Sequence, residues 1–501
     1  MQRSTSIQFE DENMRRDSFS SLSNSSADLS RYQEQLARER NSRTLNLRHI
    51  NRVTIAGLMQ NPNLNSAQMS HGNLVDSSNF PFLEPSKLIE ILRNNNLQEI
   101  SITVKSICEV SMNSPRLLKI LLSSQDVVDT IVDCFNNDIS NDICLQLLIL
   151  TVAIFPHCGN LQESFVDGLI FQFLNFFESD SSEIIIKTIT TVAVFSSSSA
   201  YARDAILSME IHRILIDLAL TERSLELTQA CCDALLAIFS NNTAISSEIL
   251  IATVEPLSQL LKLQDRTSIA RIVDCFVEMS NQYNTIIFNY YDVGLFKLSV
   301  EMLKDDVLIG PALRLIGNLS VAQPCQVKDL LNDGILQILV PLLHTEYAAD
   351  SFWVLSNLLE NMTSEVIQYF NREFVTGVID IATQSNFEVM KEASFFLSTM
   401  ILFTPSQNLP LFMDDHIIDI LVTMLGCGVS LVILRCLDTL TRFLRYTQMN
   451  ISKCGEFFTD LLNSDLNDRL QELGELETGL VKEKSMYVAQ IMQEIEQELA
   501  Q

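Results

Sequence analysis

The stretch ADSFWVLSNLLE, residues 349–360, holds the chain's single tryptophan and an asparagine four positions after it. Its apolar residues recur at helical spacing. Seven other stretches share the pattern: CLQLLILTVAIF, IIKTITTVAVFS, TQACCDALLAIFS, SIARIVDCFVEMS, GPALRLIGNLS, KEASFFLSTMIL and VILRCLDTLTRF. Aligned, they set Leu148, Thr190, Asp233, Val273, Arg314, Trp353, Phe395 and Arg435 in one column, at steps of 39–43 residues. Independent domains would not keep such a step, whereas stacked helical repeats of about 40 residues would. Glycines at 168, 294 and 334, in FVDGLI, YDVGLF and LNDGIL, follow the same spacing. Each is expected to break one helix and turn the chain into the next.

Composition agrees. A chain of 501 residues is too long for one compact core. Its 47% hydrophobic residues, with only 14 Gly and 11 Pro, suit helices joined by short turns. The expected class is all-α, with a solenoid over 84–460 and terminal helices plus an acidic tail, EIEQELAQ, over 461–501. Residues 1–80, rich in Ser, Asn and Arg, read as a mostly disordered arm with one helix candidate at 29–53.

The formal charge is −28. The first 80 residues carry nine Arg and eight acids, which leaves −29 on the rest. Such a body repels nucleic acid and anionic lipid and attracts cationic partners. The eleven cysteines form no CxxC pair, and Cys144, Cys231, Cys232, Cys275 and Cys436 sit in apolar runs. They are expected to be reduced core residues of an intracellular protein. The N-terminus lacks an apolar signal core. The most apolar run, ICLQLLILTVAIFP, has 14 residues and is too short to span a bilayer. No phosphate-loop, zinc-protease or nucleophile-elbow motif occurs, and the six His are scattered without metal spacing. Neither an enzyme nor a cofactor is expected.

Residues four apart share a helix face. If this helix is the last of its repeat, a ring at 353 and an amide at 357 line the inner groove of the superhelix. The ring would stack on an aliphatic stem, and the amide would clamp a peptide backbone. A lone Trp on an apolar helix is more often core. Against that, its partner is polar, the preceding repeat has Arg314 and Asn318 in the same columns, and the next has Phe395 and Thr399. Asp350 and Glu392 each lie three residues before the ring. The expected site is thus Arg314, Asn318, Asp350, Trp353, Asn357, Glu392, Phe395 and Thr399, with Trp353 and Asn357 projecting into an open channel.

The phrases GPALRLIGNLSVAQPCQ, LNDGILQILVPLL, ADSFWVLSNLLEN, VMKEASFFLSTM and VSLVILRCLDTLTRF resemble the second half of importin-α, the armadillo-repeat adaptor of nuclear import. EPSKLIEILRNNNLQE is similar to the start of that family's first repeat. The resemblance covers about 84–460 and is strongest over 300–445. It implies a right-handed superhelix of about ten armadillo repeats and a groove for basic localisation-signal peptides. It also implies an arm that binds an importin-β-type carrier, here through Arg38, Arg40, Arg43, Arg48 and Arg52, and residence in cytoplasm and nucleus. The family's major peptide site uses Trp/Asn pairs, and the matching positions here are Leu148/Val152, Thr190/Val194 and Asp233/Ala237. The minor site is better kept, with Phe395 and Thr399 as replacements. Two functions follow: an import adaptor, or an armadillo scaffold for a complex outside nuclear transport.

Overall fold

A computed structural model describes residues 83–137, 139–221, 224–477 and 479–499. The arm expected over 1–80, with its helix candidate and arginines, lies outside the described residues. Among those described there are helices and turns but no strands. They divide at Val293 and Gly294 into two compact units.

The first unit opens with α1 (Pro85–Arg93) and α2 (Leu97–Asn113). A complete three-helix repeat follows in α3 (Leu118–Leu121), α4 (Gln125–Asn136) and α5 (Asn141–Ile154). In the next, the first two helices run together as α6 (Gln162–Phe177), before α7 (Ser182–Ser198). Then come α8 (Ala200–Ser208), α9 (Ile211–Thr221) and α10 (Leu225–Phe239). The merged α11 (Ser247–Gln259), then α12 (Arg266–Gln282) and α13 (Ile287–Asp292) complete the unit. The third helices α2, α5, α7, α10 and α12 pack on one another in chain order. Local chemistry starts several of them: the side chains of Ser140, Ser224 and Asp265 accept from the backbone N–H of Ile143, Leu227 and Ser268. Such caps stabilise a helix by about 1 kcal/mol each.

The second unit repeats the plan with α14 (Leu295–Met302), α15 (Ile309–Leu319), α16 (Pro324–Asn332), α17 (Ile335–Leu342) and α18 (Ala348–Asn361). It continues through α19 (Thr363–Val366), α20 (Arg372–Gln384), α21 (Phe387–Phe403), α22 (Asp415–Leu425) and α23 (Ser430–Met449). It ends in α24 (Ile451–Asn463), α25 (Leu466–Leu476) and α26 (Gly479–Leu499). Here α15, α18, α21, α23 and α26 form the stack. Two short helices followed by a longer third that stacks on the next third, every 40 residues or so, is the armadillo arrangement. Each unit is all-α and follows the armadillo plan, as expected.

A recurring polar clasp ties neighbouring repeats. The last carbonyls of a helix have no partner within it. Asn241 Nδ2 donates to Ser196 O at 2.8 Å, and Gln282 Nε2 donates to Phe239 O at 2.6 Å. In the second unit Asn361 Nδ2 donates to Ser320 O and Ala322 O, and the Arg442 guanidinium donates to Leu402 O and Thr404 O. Side chains in the C-terminal half of one third helix, or just beyond it, thus close the end of the one before it.

The glycine expectation holds at two positions and fails at one. Gly294 and Gly334 adopt φ of +78° and +82° and precede α14 and α17. Gly168 instead lies inside α6, where a β-carbon would come within 2.6 Å of the Val132 methyls. Its missing side chain serves close packing of α6 on α4, not a turn. No helix among the described residues is long and apolar enough to cross a membrane.

Candidate functional site

The expected site residues lie on consecutive third helices of the second unit: Arg314 and Asn318 on α15, Asp350, Trp353 and Asn357 on α18, Glu392, Phe395 and Thr399 on α21. Asp350 stands in the first turn of α18, where the helix dipole favours a negative charge. The register read from the sequence is therefore present.

The expected exposure is not. Trp353 and Asn357 are only 3% and 6% exposed, and Arg314, Asn318, Glu392, Phe395 and Thr399 are buried as well. Asp350 alone of the eight is half-buried. The physical reason lies in α15. A β-carbon at Gly317 would fall 2.1–2.7 Å from the six-membered part of the Trp353 ring. The glycine thus lets the indole lie directly on the neighbouring backbone. Asn357 adds a hydrogen bond from Nδ2 to Gly317 O at 3.1 Å, one of the last carbonyls of α15. Both residues singled out in the sequence converge on one glycine.

A second cluster forms around Phe395. The Arg435 guanidinium lies 4.7 Å from its ring centroid, and Arg435 Nη2 is 2.5 Å from Glu360 Oε1. Thr399 spends its hydroxyl on Phe395 O within α21, 2.8 Å away. Lys391 Nζ lies 2.5 Å from Glu388 Oε2 and 3.8 Å from Glu392 Oε1. Sequence reasoning missed Gly317 and Glu360 and gave Arg435 no role. A signal was available for each. Gly317 stands six residues after the chain's helix-opening IGP, inside an otherwise apolar helix, and Glu360 follows Asn357 by three on the same face.

The corresponding positions of the first unit carry no ring or amide. Leu148, Val152, Thr190, Val194 and Ala237 are buried, and exposed Asp233 accepts from Arg271 Nε at 2.6 Å. The cysteines expected in the core, Cys144, Cys231, Cys232, Cys275 and Cys436, are buried free thiols. Burial pushes Cys144 up to about 11 and Cys232 up to about 12, so both are thiols at neutral pH. No group of His, Cys, Asp and Glu among the described residues is arranged to hold a metal ion.

No protein-family description matches the sequence. No curated protein matches it either. Among solved structures, an engineered protein is similar over 81% of this chain and 98% of its own, with a TM-score of 0.61 and 17% identity. A designed armadillo repeat protein in complex with the peptide (KR)4 covers 46% of this chain at 19% identity, with 98% of its own length and a TM-score of 0.41. Computationally designed armadillo repeat proteins for modular peptide recognition cover 46% of this chain at 19% identity, with 98% of their own length and a TM-score of 0.40. The likeness to the engineered protein is one of fold.

Proposed function

We propose that the chain is a nuclear import adaptor of the importin-α kind. It binds basic localisation-signal peptides along α15, α18 and α21 and passes them to an importin-β-type carrier through the arginines of the N-terminal arm. It works between cytoplasm and nucleus, with no catalytic step and no cofactor. The supporting observation is that this face already holds a cation: Arg435 rests on the Phe395 ring with its charge against Glu360. A ring face with a carboxylate beside it is the chemistry that takes a basic side chain, and a cation over an aromatic ring gains about 0.5–1 kcal/mol, more when desolvated. With Asn357 Nδ2 held by Gly317 O, its Oδ1 is the atom left to accept from a peptide N–H.

A labelled lysine- and arginine-rich localisation peptide, titrated against an alanine-substituted control at low and high salt, tests this. Saturable binding that weakens with salt is expected. No binding of either peptide would favour the second function, an armadillo scaffold for a complex outside nuclear transport. One observation speaks for that alternative: Trp353 and Asn357 are both engaged in packing between repeats.

A further inference from the structure

Phe171 on α6 is 65% exposed, more than any other phenylalanine described. It does not stand alone. Glu163 and Asp167 lie two turns and one turn before it on the same helix face. The Tyr201 hydroxyl of α8 donates to Asp167 Oδ1 at 2.6 Å, which fixes a second exposed ring beside that face. On its other side α6 borders α4. Gly168 lies against Val132, and one turn further along both helices Gln172 Nε2 donates to Asn136 Oδ1 at 2.7 Å. The two helices therefore run side by side in the same direction, and α4 adds the exposed Asp129 and Asp133. Among the described residues none of the four carboxylates is in an ion pair. We propose that this face of α4, α6 and α8 is a docking surface for a basic, arginine-bearing segment of a partner protein.

The chemistry selects the occupant. Nucleic acid, anionic lipid and a second copy of this acidic chain all bring negative charge to a negative surface and are repelled. A purely apolar partner would cover the carboxylates without pairing them, which costs free energy. A basic segment satisfies both parts of the surface. A guanidinium stacks flat on a ring and offers forked donors to a carboxylate one turn away, whereas a lysine ammonium supplies charge without the flat face. Phe171 thus sets a preference for arginine, and the carboxylates set the salt dependence. The surface lies in the first unit and is independent of the basic-peptide reading of α15, α18 and α21.

The test titrates the full chain with two peptides of equal length and charge, one alternating arginine with glycine and one alternating lysine with glycine. Each carries a photo-cross-linker, and mass spectrometry maps and counts the adducts. Adducts on 125–136, 162–177 and 200–208 are expected, with the arginine peptide half-saturating them at a concentration about two- to fivefold lower. Phe171→Ser, at an exposed position, should bring the two peptides together, and Asp129→Asn with Asp133→Asn should weaken both and flatten the salt dependence. Circular dichroism confirms that the variants fold. Adducts confined to 309–319, 348–361 and 387–403 overturn the docking surface and leave the peptide groove standing, and adducts confined to the first unit do the reverse. A Phe171→Ser titration identical to wild type, or no adducts at all, also overturns the proposal. Self-association in sedimentation that Phe171→Ser abolishes would give the face to a second copy and overturn it as well.

Discussion

Position 317 has no room for a β-carbon because the Trp353 ring lies on it, 2.1–2.7 Å from where that carbon would stand. Gly317 is helical, so alanine there would gain about 1 kcal/mol of helix propensity. Moving the indole costs more, since overpacking of this kind runs to about 1–3 kcal/mol. Gly317→Ala should therefore lower stability by up to about 2 kcal/mol in chemical denaturation and shift the emission of the single Trp. An unchanged spectrum with raised stability would show that the ring is not seated on α15.

Asn357→Ala should destabilise by about 1–2 kcal/mol, because it leaves the Gly317 carbonyl without the donor it has at 3.1 Å. Asn361→Ala should cost a similar amount, since Nδ2 serves both Ser320 O and Ala322 O. Thermal melts of the two variants check this.

Acid should weaken the first unit through His212. This residue is buried, its Nδ1 makes no hydrogen bond, and burial lowers its pKa to about 4 from 6.5. The unfolded chain then takes up the proton first as pH falls. Stability is full above about 6.5 and is lost between there and about 4, by up to about 3 kcal/mol. Denaturation midpoints measured across that range in wild type and His212→Leu should diverge, with the variant losing less. Parallel pH profiles would contradict this.

The C-terminal helix should depend on one buried ion pair. Lys484 of α26 donates to Asp438 of α23, and both are buried. Burial raises the Asp438 pKa, and Lys484 pulls the other way. Lys484→Met strands the carboxylate and should cost about 3–5 kcal/mol, while Lys484→Met with Asp438→Asn should recover much of it. Hydrogen exchange over 479–499 reads the effect locally.

The solenoid was legible in the sequence because stacking requires each repeat to place its apolar residues at the same positions, and a step near 40 residues records that requirement. Individual positions were less legible when a distant neighbour decides them. VDGLI and NDGIL look alike, yet Gly334 turns the chain while Gly168 continues a helix, because only Gly168 has Val132 against it. The aligned columns were read in the right register, and the expected exposure of Trp353 and Asn357 was wrong. Spacing shows which residues share a helix face, and it cannot show that a glycine one repeat earlier admits the ring to the backbone. Arg435 was aligned in the column but given no role for the same reason: its partner Glu360 lies 75 residues away.

The most direct measurement uses Trp353, the chain's only indole, as its own reporter. A lysine- and arginine-rich localisation peptide should shift its emission saturably, an alanine-substituted peptide should not, and Trp353→Ala should weaken binding by about 1–2 kcal/mol in a parallel calorimetric titration. Emission that stays unchanged, together with no heat of binding for either peptide, would contradict the claim that this face takes basic peptides.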